Sequence, residues 1–160
     1  MFSDFLGEKY VIKYREVFLL LKFPEMIERY PDLLKILLES KRFSLETITQ
    51  AQIKQMLRSK IPVAGVYLIT DSEDRPLYVG RSKNLAQRIG RDHRSLNKNA
   101  ANLTYRISIM NNISHKEARD YVFGDFFVRF LKVENEHDRT VFEVFVAMEL
   151  DTPYNSFLEH

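Results

Sequence analysis

Cysteine is absent from the 160-residue chain. Disulfides, cysteine-based zinc sites and thiol catalysis are therefore excluded, and the composition suits a reducing, cytoplasmic setting. Long apolar runs are missing too. The longest early one, Val17 to Leu21, falls far short of the ~20 residues that span a bilayer. The opening Met1-Phe2-Ser3-Asp4 has no basic stretch leading into an apolar segment and a small-residue cleavage site, so neither a secretion signal nor a membrane partner is expected. There is no internal repeat and no low-complexity tract. Also missing are G-x-G-x-x-G and Walker loops, the G-x-S-x-G elbow and H-E-x-x-H. His115, His137 and His160 share no metal-ligand spacing and are expected at the surface.

What remains is enough to build a core. Apolar residues make up 45% and charged residues 29%, which fits one folded domain with a helical extension. The net charge is only +2, but it is unevenly placed. Between Arg81 and Arg106 stand seven basic residues and one acid, Asp92, so this window carries +6 and the rest of the chain −4. A local basic patch on a near-neutral protein is a binding footprint rather than a bulk property.

Residues 1–62 read as helical. Tyr10, Tyr14, Val17, Phe18 and Leu21 recur at helical spacing. Pro24 and Pro31 suit first turns of new helices, and Ser44 is expected to cap a helix carrying Leu45, Ile48, Met56 and Leu57. The region carries no chemistry of its own. Three roles are open to it: a layer packed on the C-terminal domain, a substrate-recognition module, or an arm for a protein partner or a second copy of the chain.

Residues 63–160 read as a mixed α/β (α+β) unit. Gly65 to Thr70 and Leu77 to Gly80 are strand-forming segments around a polar turn, and predict an antiparallel hairpin. Asn84 is placed to cap a helix from Leu85, which Gly90 ends or loosens. Ser114-His115-Lys116-Glu117 is a capping box. Phe126 to Val133 reads as a strand covered on both faces, and Asp138 as the cap of a last helix through Leu150.

One set of spacings stands apart. Gly65-Val66-Tyr67 is followed, after ten residues, by Tyr78-Val79-Gly80. Arg88 lies eight positions past Gly80, and Asn155 lies twelve past Glu143. This order resembles the GIY-YIG nuclease superfamily over roughly residues 64–156. The resemblance implies a small antiparallel three-stranded sheet flanked by helices, and hydrolysis of DNA phosphodiesters with one Mg²⁺ or Mn²⁺; RNA stays open as a substrate. It implies Tyr67 as general base, Tyr78 as a group orienting water or phosphate, Arg88 as charge stabiliser and Glu143 as metal ligand. His93 is carried as a proton relay or phosphate ligand. Asn155 has two readings, a phosphate contact or a brace for the turn after the helix. The rivals to an enzyme are a non-catalytic nucleic-acid-binding module of the same fold and a partner-binding structural protein.

Each position also has a reading from residue chemistry. Phosphodiester hydrolysis needs an activated water, a stabiliser of developing charge and help for the leaving oxygen. A free phenol has a pKa of ~10, so Tyr67 becomes a base only in a cationic field, such as the basic window supplies. A guanidinium stays charged and bonds two phosphate oxygens, which suits Arg88. Glu143 sits in a segment, Val141 to Leu150, whose only other polar residue is Glu149. A carboxylate in so apolar a helix needs a cation, a donor or a metal. Glu149 is turned about 240° from it, so the two cannot face one site. His93 would lie about 140° from Arg88 on an unbroken helix, unless Gly90 redirects it. Gly65, Gly80, Arg81, Lys83, Arg91, Arg94 and Lys98 are expected along the nucleic acid, the basic ones as sequence-independent phosphate contacts.

Overall fold

The computed structural model describes residues 23–97 and 101–156. The apolar stripe from Tyr10 to Leu21, Lys98 and His160 lie outside the described residues. Two helices open the described part, α1 (Phe23–Ile27) and α2 (Tyr30–Glu39), with Pro24 and Pro31 in their first turns. There a proline lacks only an N–H that would go unbonded anyway. The chain then forms a two-residue strand, β1 (Phe43–Ser44), and helix α3 (Gln50–Met56). The expected cap at Ser44 is therefore displaced. Thr49 caps α3 instead, through a reciprocal box in which Gln52 N donates to Thr49 Oγ1 and Thr49 N donates to Gln52 Oε1. The box satisfies two otherwise orphaned donors.

The hairpin forms as the alternation predicts, from β2 (Gly65–Thr70) and β3 (Pro76–Ser82). Asn84 caps α4 (Leu85–Gly90), and a single 3₁₀ turn follows at Asp92–Arg94. Next comes a helical hairpin, α5 (Asn102–Met110) and α6 (His115–Asp125), the latter opened by the Ser114–Glu117 box. The first of these two helices has no counterpart among the elements expected from the sequence. Only Leu103 and Ile107 give it a buried apolar edge, too short a stripe to stand out. Strand β4 (Phe127–Lys132) leads to α7 (Glu136–Glu149). Asn135, not Asp138, caps α7, its Oδ1 accepting from Asp138 N at 3.0 Å. The Asp138 carboxylate is used elsewhere: it accepts from Arg29 at 2.7 Å and from the Tyr30 hydroxyl at 3.2 Å, tying α2 to the start of α7.

The sheet is antiparallel throughout, in the order β1-β4-β2-β3. It has four strands rather than three because Phe43 and Ser44 pair with Val128 and Phe127. Every residue of β2 is buried, since this strand is covered on both faces. Tyr67, Ile69 and Tyr78 point to one core, shared with Leu85, Ile89 and Leu103. Val66, Leu68 and Val79 point to the other, shared with Tyr30, Leu37, Phe142 and Val146. The described part of the helical region thus adds a strand to the sheet and side chains to both cores. No helix among the described residues is long and apolar enough to cross a membrane.

Candidate active site

The site forms where β3, an edge strand, is met by α4 from one face and α7 from the other. Tyr67 stands opposite Gly80 in the β2–β3 register. A Cβ at Gly80 would overlap the Tyr67 hydroxyl and ring carbon Cζ, so the bare α-carbon is what lets the phenol lie across β3. Gly65 has a similar reason. A Cβ there would overlap the Leu131 carbonyl of β4 and come within 2.7 Å of Leu85 Cδ1. Both glycines are buried and serve close backbone approach.

Two groups converge on the Tyr67 hydroxyl, and a third ring stands beside it. Arg88 Nε donates to it at 3.1 Å, and His93 Nε2 lies 2.9 Å away. Tyr78 adds a second phenol, with ring centroids 6.2 Å from Tyr67 and 6.4 Å from His93. His93 reaches this place because α4 stops at Gly90. The helix breaks at Arg91 (φ −134°, ψ −55°), and a Cβ on Gly90 would come within 2.7 Å of the Gln50 backbone. Close packing of α3 on α4 thus requires glycine at 90, and the break turns His93 back toward Tyr67.

Burial dominates the electrostatics. Tyr67 is fully buried, and desolvation pushes its phenol well above the ordinary tyrosine range; Tyr78 and Glu143 add to the rise and Arg88 opposes it. His93 is lowered to about 3 by burial and by the Arg88 charge. At neutral pH the pair is therefore phenol and neutral imidazole. With Arg88 donating to Oη, the phenol's own proton is placed to go to Nε2. His93 Nδ1 is buried without a hydrogen-bond partner among the described residues.

Glu143 enters from α7 with its side chain 16% exposed. Arg81 Nε donates to its Oε2 at 2.8 Å. Burial still raises the Glu143 pKa, against the pull of Arg81 and Arg88. Its charge is felt at Tyr67, and that of Arg88 is felt at Glu143. The carboxylate, guanidinium and phenol thus share one locality. Among the described residues no group of three acidic or histidine ligands could hold a metal. A lone carboxylate still fits Mg²⁺ or Mn²⁺, which keep several waters and take substrate phosphate as well.

Asn155 braces the strand edge. Its Oδ1 accepts from Val79 N at 2.8 Å, and its Nδ2 donates to Val79 O at 2.7 Å. The amide thereby imitates a neighbouring strand on an otherwise unpaired edge. Tyr154 N donates to Leu77 O at 3.1 Å, so residues 77 and 79 both have an edge group covered. Of the two readings given for Asn155, its contacts here are those of the brace. Thr152 belongs to the same brace, its hydroxyl donating to Asn155 Oδ1 at 2.8 Å. Sequence reasoning missed Thr152; its only signal is the three-residue spacing typical of a hydroxyl-closed turn.

The basic window does not act as one surface. Arg81 is engaged by Glu143 rather than held outward. Arg94 points inward, its guanidinium bonded to the carbonyls of Leu45, Glu46 and Ile48 and lying over the Phe123 ring at 4.8 Å. Those contacts, all made by Nη2, are those of a strut tying the 3₁₀ turn to the loop before α3. Arg106 donates to Tyr154 O at 2.8 Å. Lys83 and Arg91 are exposed and pair loosely with Glu136 and Asp92 at 3.5 and 3.3 Å. His115 is half-buried rather than at the surface, its Nε2 lying 2.8 Å from Thr104 Oγ1. Glu149 is exposed.

Residues 63–137 match the family model described as the GIY-YIG catalytic domain. The match ends before Glu143 and Asn155. No curated protein and no solved structure matches the chain.

Proposed function

We propose, on the premise that residues 63–137 are a GIY-YIG catalytic domain, that the chain is a metal-dependent endonuclease cutting DNA phosphodiesters. The observation that carries this is the meeting of Tyr67, Arg88, His93 and Glu143, from four elements, around one edge of the sheet. The family itself indicates a nuclease; the metal, the substrate and the residue roles are the reading offered here.

Arg88 is held half-buried at the Tyr67 hydroxyl and meets the phosphate there, where a desolvated guanidinium stabilises charge on the non-bridging oxygens. Tyr67 takes the proton of the attacking water. Its own proton passes to His93 Nε2, 2.9 Å away, so free phenolate need not accumulate in a buried place that disfavours it. The phosphate charge arriving beside His93 favours the imidazolium that results. Tyr78 orients the water or a phosphate oxygen. Glu143 would hold one divalent cation, which when bound supplies positive charge to the leaving oxygen.

The test is cleavage of branched, nicked, duplex and single-stranded DNA, with RNA alongside, in Mg²⁺ and in Mn²⁺. Arg88→Ala and Glu143→Ala should each abolish cleavage while keeping a cooperative melt. Full activity in either variant refutes that residue's role. Salt-sensitive binding without metal-dependent cutting by the wild type would make this a binding module instead.

A further inference from the structure

We propose that Arg81 is a displaceable counter-ion: it neutralises Glu143 while no metal is bound, gives way when a divalent cation takes the carboxylate, and then holds substrate phosphate. The proposal rests on the reading of Glu143 as the metal ligand. Arg81 Nε occupies Oε2 at 2.8 Å, so a cation binding that oxygen must displace it. The two positive charges would otherwise stand a few ångströms apart. Among the described residues no group of three acidic or histidine side chains stands there to share the load.

The two partners differ in freedom. Glu143 is 16% exposed and held by an apolar helix, whereas the Arg81 side chain is 42% exposed at the rim of an edge strand. Glu143 is also its one side-chain hydrogen-bond partner among the described residues. The carboxylate is thus the fixed element and the guanidinium the mobile one. Arg88, by contrast, is committed to Tyr67. Once released, Arg81 lies at the mouth of the same site with its donors unspent. Phosphate is the anion then at hand, which reconciles its place in the basic window with its engagement here.

A second role would leave the same contact. Arg81 could hold the carboxylate in the orientation a metal needs, and the sign of one measurement separates the two roles. The full chain without DNA is titrated with Mn²⁺, following the loss of the free-ion EPR signal, for wild type, Arg81→Ala and Glu143→Gln. A displaceable counter-ion predicts Mn²⁺ binding about 1.4–5-fold tighter in Arg81→Ala, the range expected for a partly exposed ion pair. It also predicts a lower melting temperature without metal and a larger gain on adding Mn²⁺. With non-cleaved DNA and Ca²⁺, the salt slope of binding should fall by about 0.9 in Arg81→Ala, and should not change in EDTA. Unchanged or weaker Mn²⁺ binding in Arg81→Ala overturns the proposal but leaves the endonuclease reading intact, provided Glu143→Gln abolishes the wild-type binding. Absence of binding in the wild type, or binding undiminished in Glu143→Gln, overturns both. Should Arg81→Ala not fold, Arg81→Gln carries the same expectations.

Discussion

Gly80→Ala tests whether the Tyr67 hydroxyl lies where the site needs it. The backbone tolerates alanine, because no glycine among the described residues has a positive φ. The effect is therefore confined to one methyl group. That methyl would stand 2.9 Å from Tyr67 Cε1 and closer still to Cζ and the hydroxyl, whereas ordinary contact begins at 3.4 Å. The ring must shift by about 1 Å, and overpacking of this kind costs ~1–3 kcal/mol. For a chain of this length that lowers the melting temperature by ~2–4 °C per kcal/mol. A shift of that size also takes the hydroxyl out of range of Arg88 Nε and His93 Nε2, now at 3.1 and 2.9 Å. Misplacement by ~1 Å costs about 10²-fold in rate. The assay is single-turnover nicking of supercoiled plasmid in Mn²⁺, beside a thermal melt. Gly124→Ala is the control: a Cβ there meets nothing within 4 Å, and alanine in a helix should gain ~0.5–1 kcal/mol. Gly80→Ala with wild-type rate and melting temperature would refute the placement of the phenol.

His93 makes stability depend on acid. Its pKa is about 3 in the folded protein, below its ordinary value of 6.5, so the unfolded chain binds the proton first. The neutral-imidazole contribution is complete above pH 6.5 and is lost as pH falls toward 3, by up to about 1.4 kcal/mol per pH unit. Urea unfolding at pH 7.5, 6 and 5 should show this loss, and His93→Phe should flatten it; an equal slope in the variant would sink the assignment. Asn155→Asp replaces the donor to Val79 O with a carboxylate oxygen facing that carbonyl. It should cost ~1–3 kcal/mol in chemical unfolding and reduce cleavage, while Asn155→Ser, too short to bridge, should cost similarly. A neutral outcome for both would show that the brace on β3 contributes nothing.

How much of this was legible in the sequence depends on how far each interaction reaches along the chain. The β2–β3 hairpin, the Asn84 cap and the Ser114–Glu117 box form as read, because a turn or a cap is closed by residues within a few positions of one another. The cap at Ser44 fails for a related reason. Thr49 and Gln52 offer a better local box, and Ser44 is drawn into pairing with β4. No periodicity in a two-residue strand signals that its partner lies some eighty positions away. The convergence of phenol, guanidinium and carboxylate was legible only as a set of spacings.

The sequence by itself determined which groups are available: two phenols on alternate positions of a hairpin, a permanently charged arginine on the helix behind it, and the Glu143 carboxylate in the apolar stretch of a later helix. Only the tertiary structure decided who faces whom. Arg81 and Glu143 are 62 positions apart, and Val79 and Asn155 are 76 apart. Neighbouring basic residues of one window end as a counter-ion, a site group and an inward strut. The reason is geometric. Side-chain direction on an edge strand, at a broken helix end or in a 3₁₀ turn is set by what packs against it. Those partners come from other parts of the chain, brought near by burying apolar surface rather than by any pattern in the residues themselves.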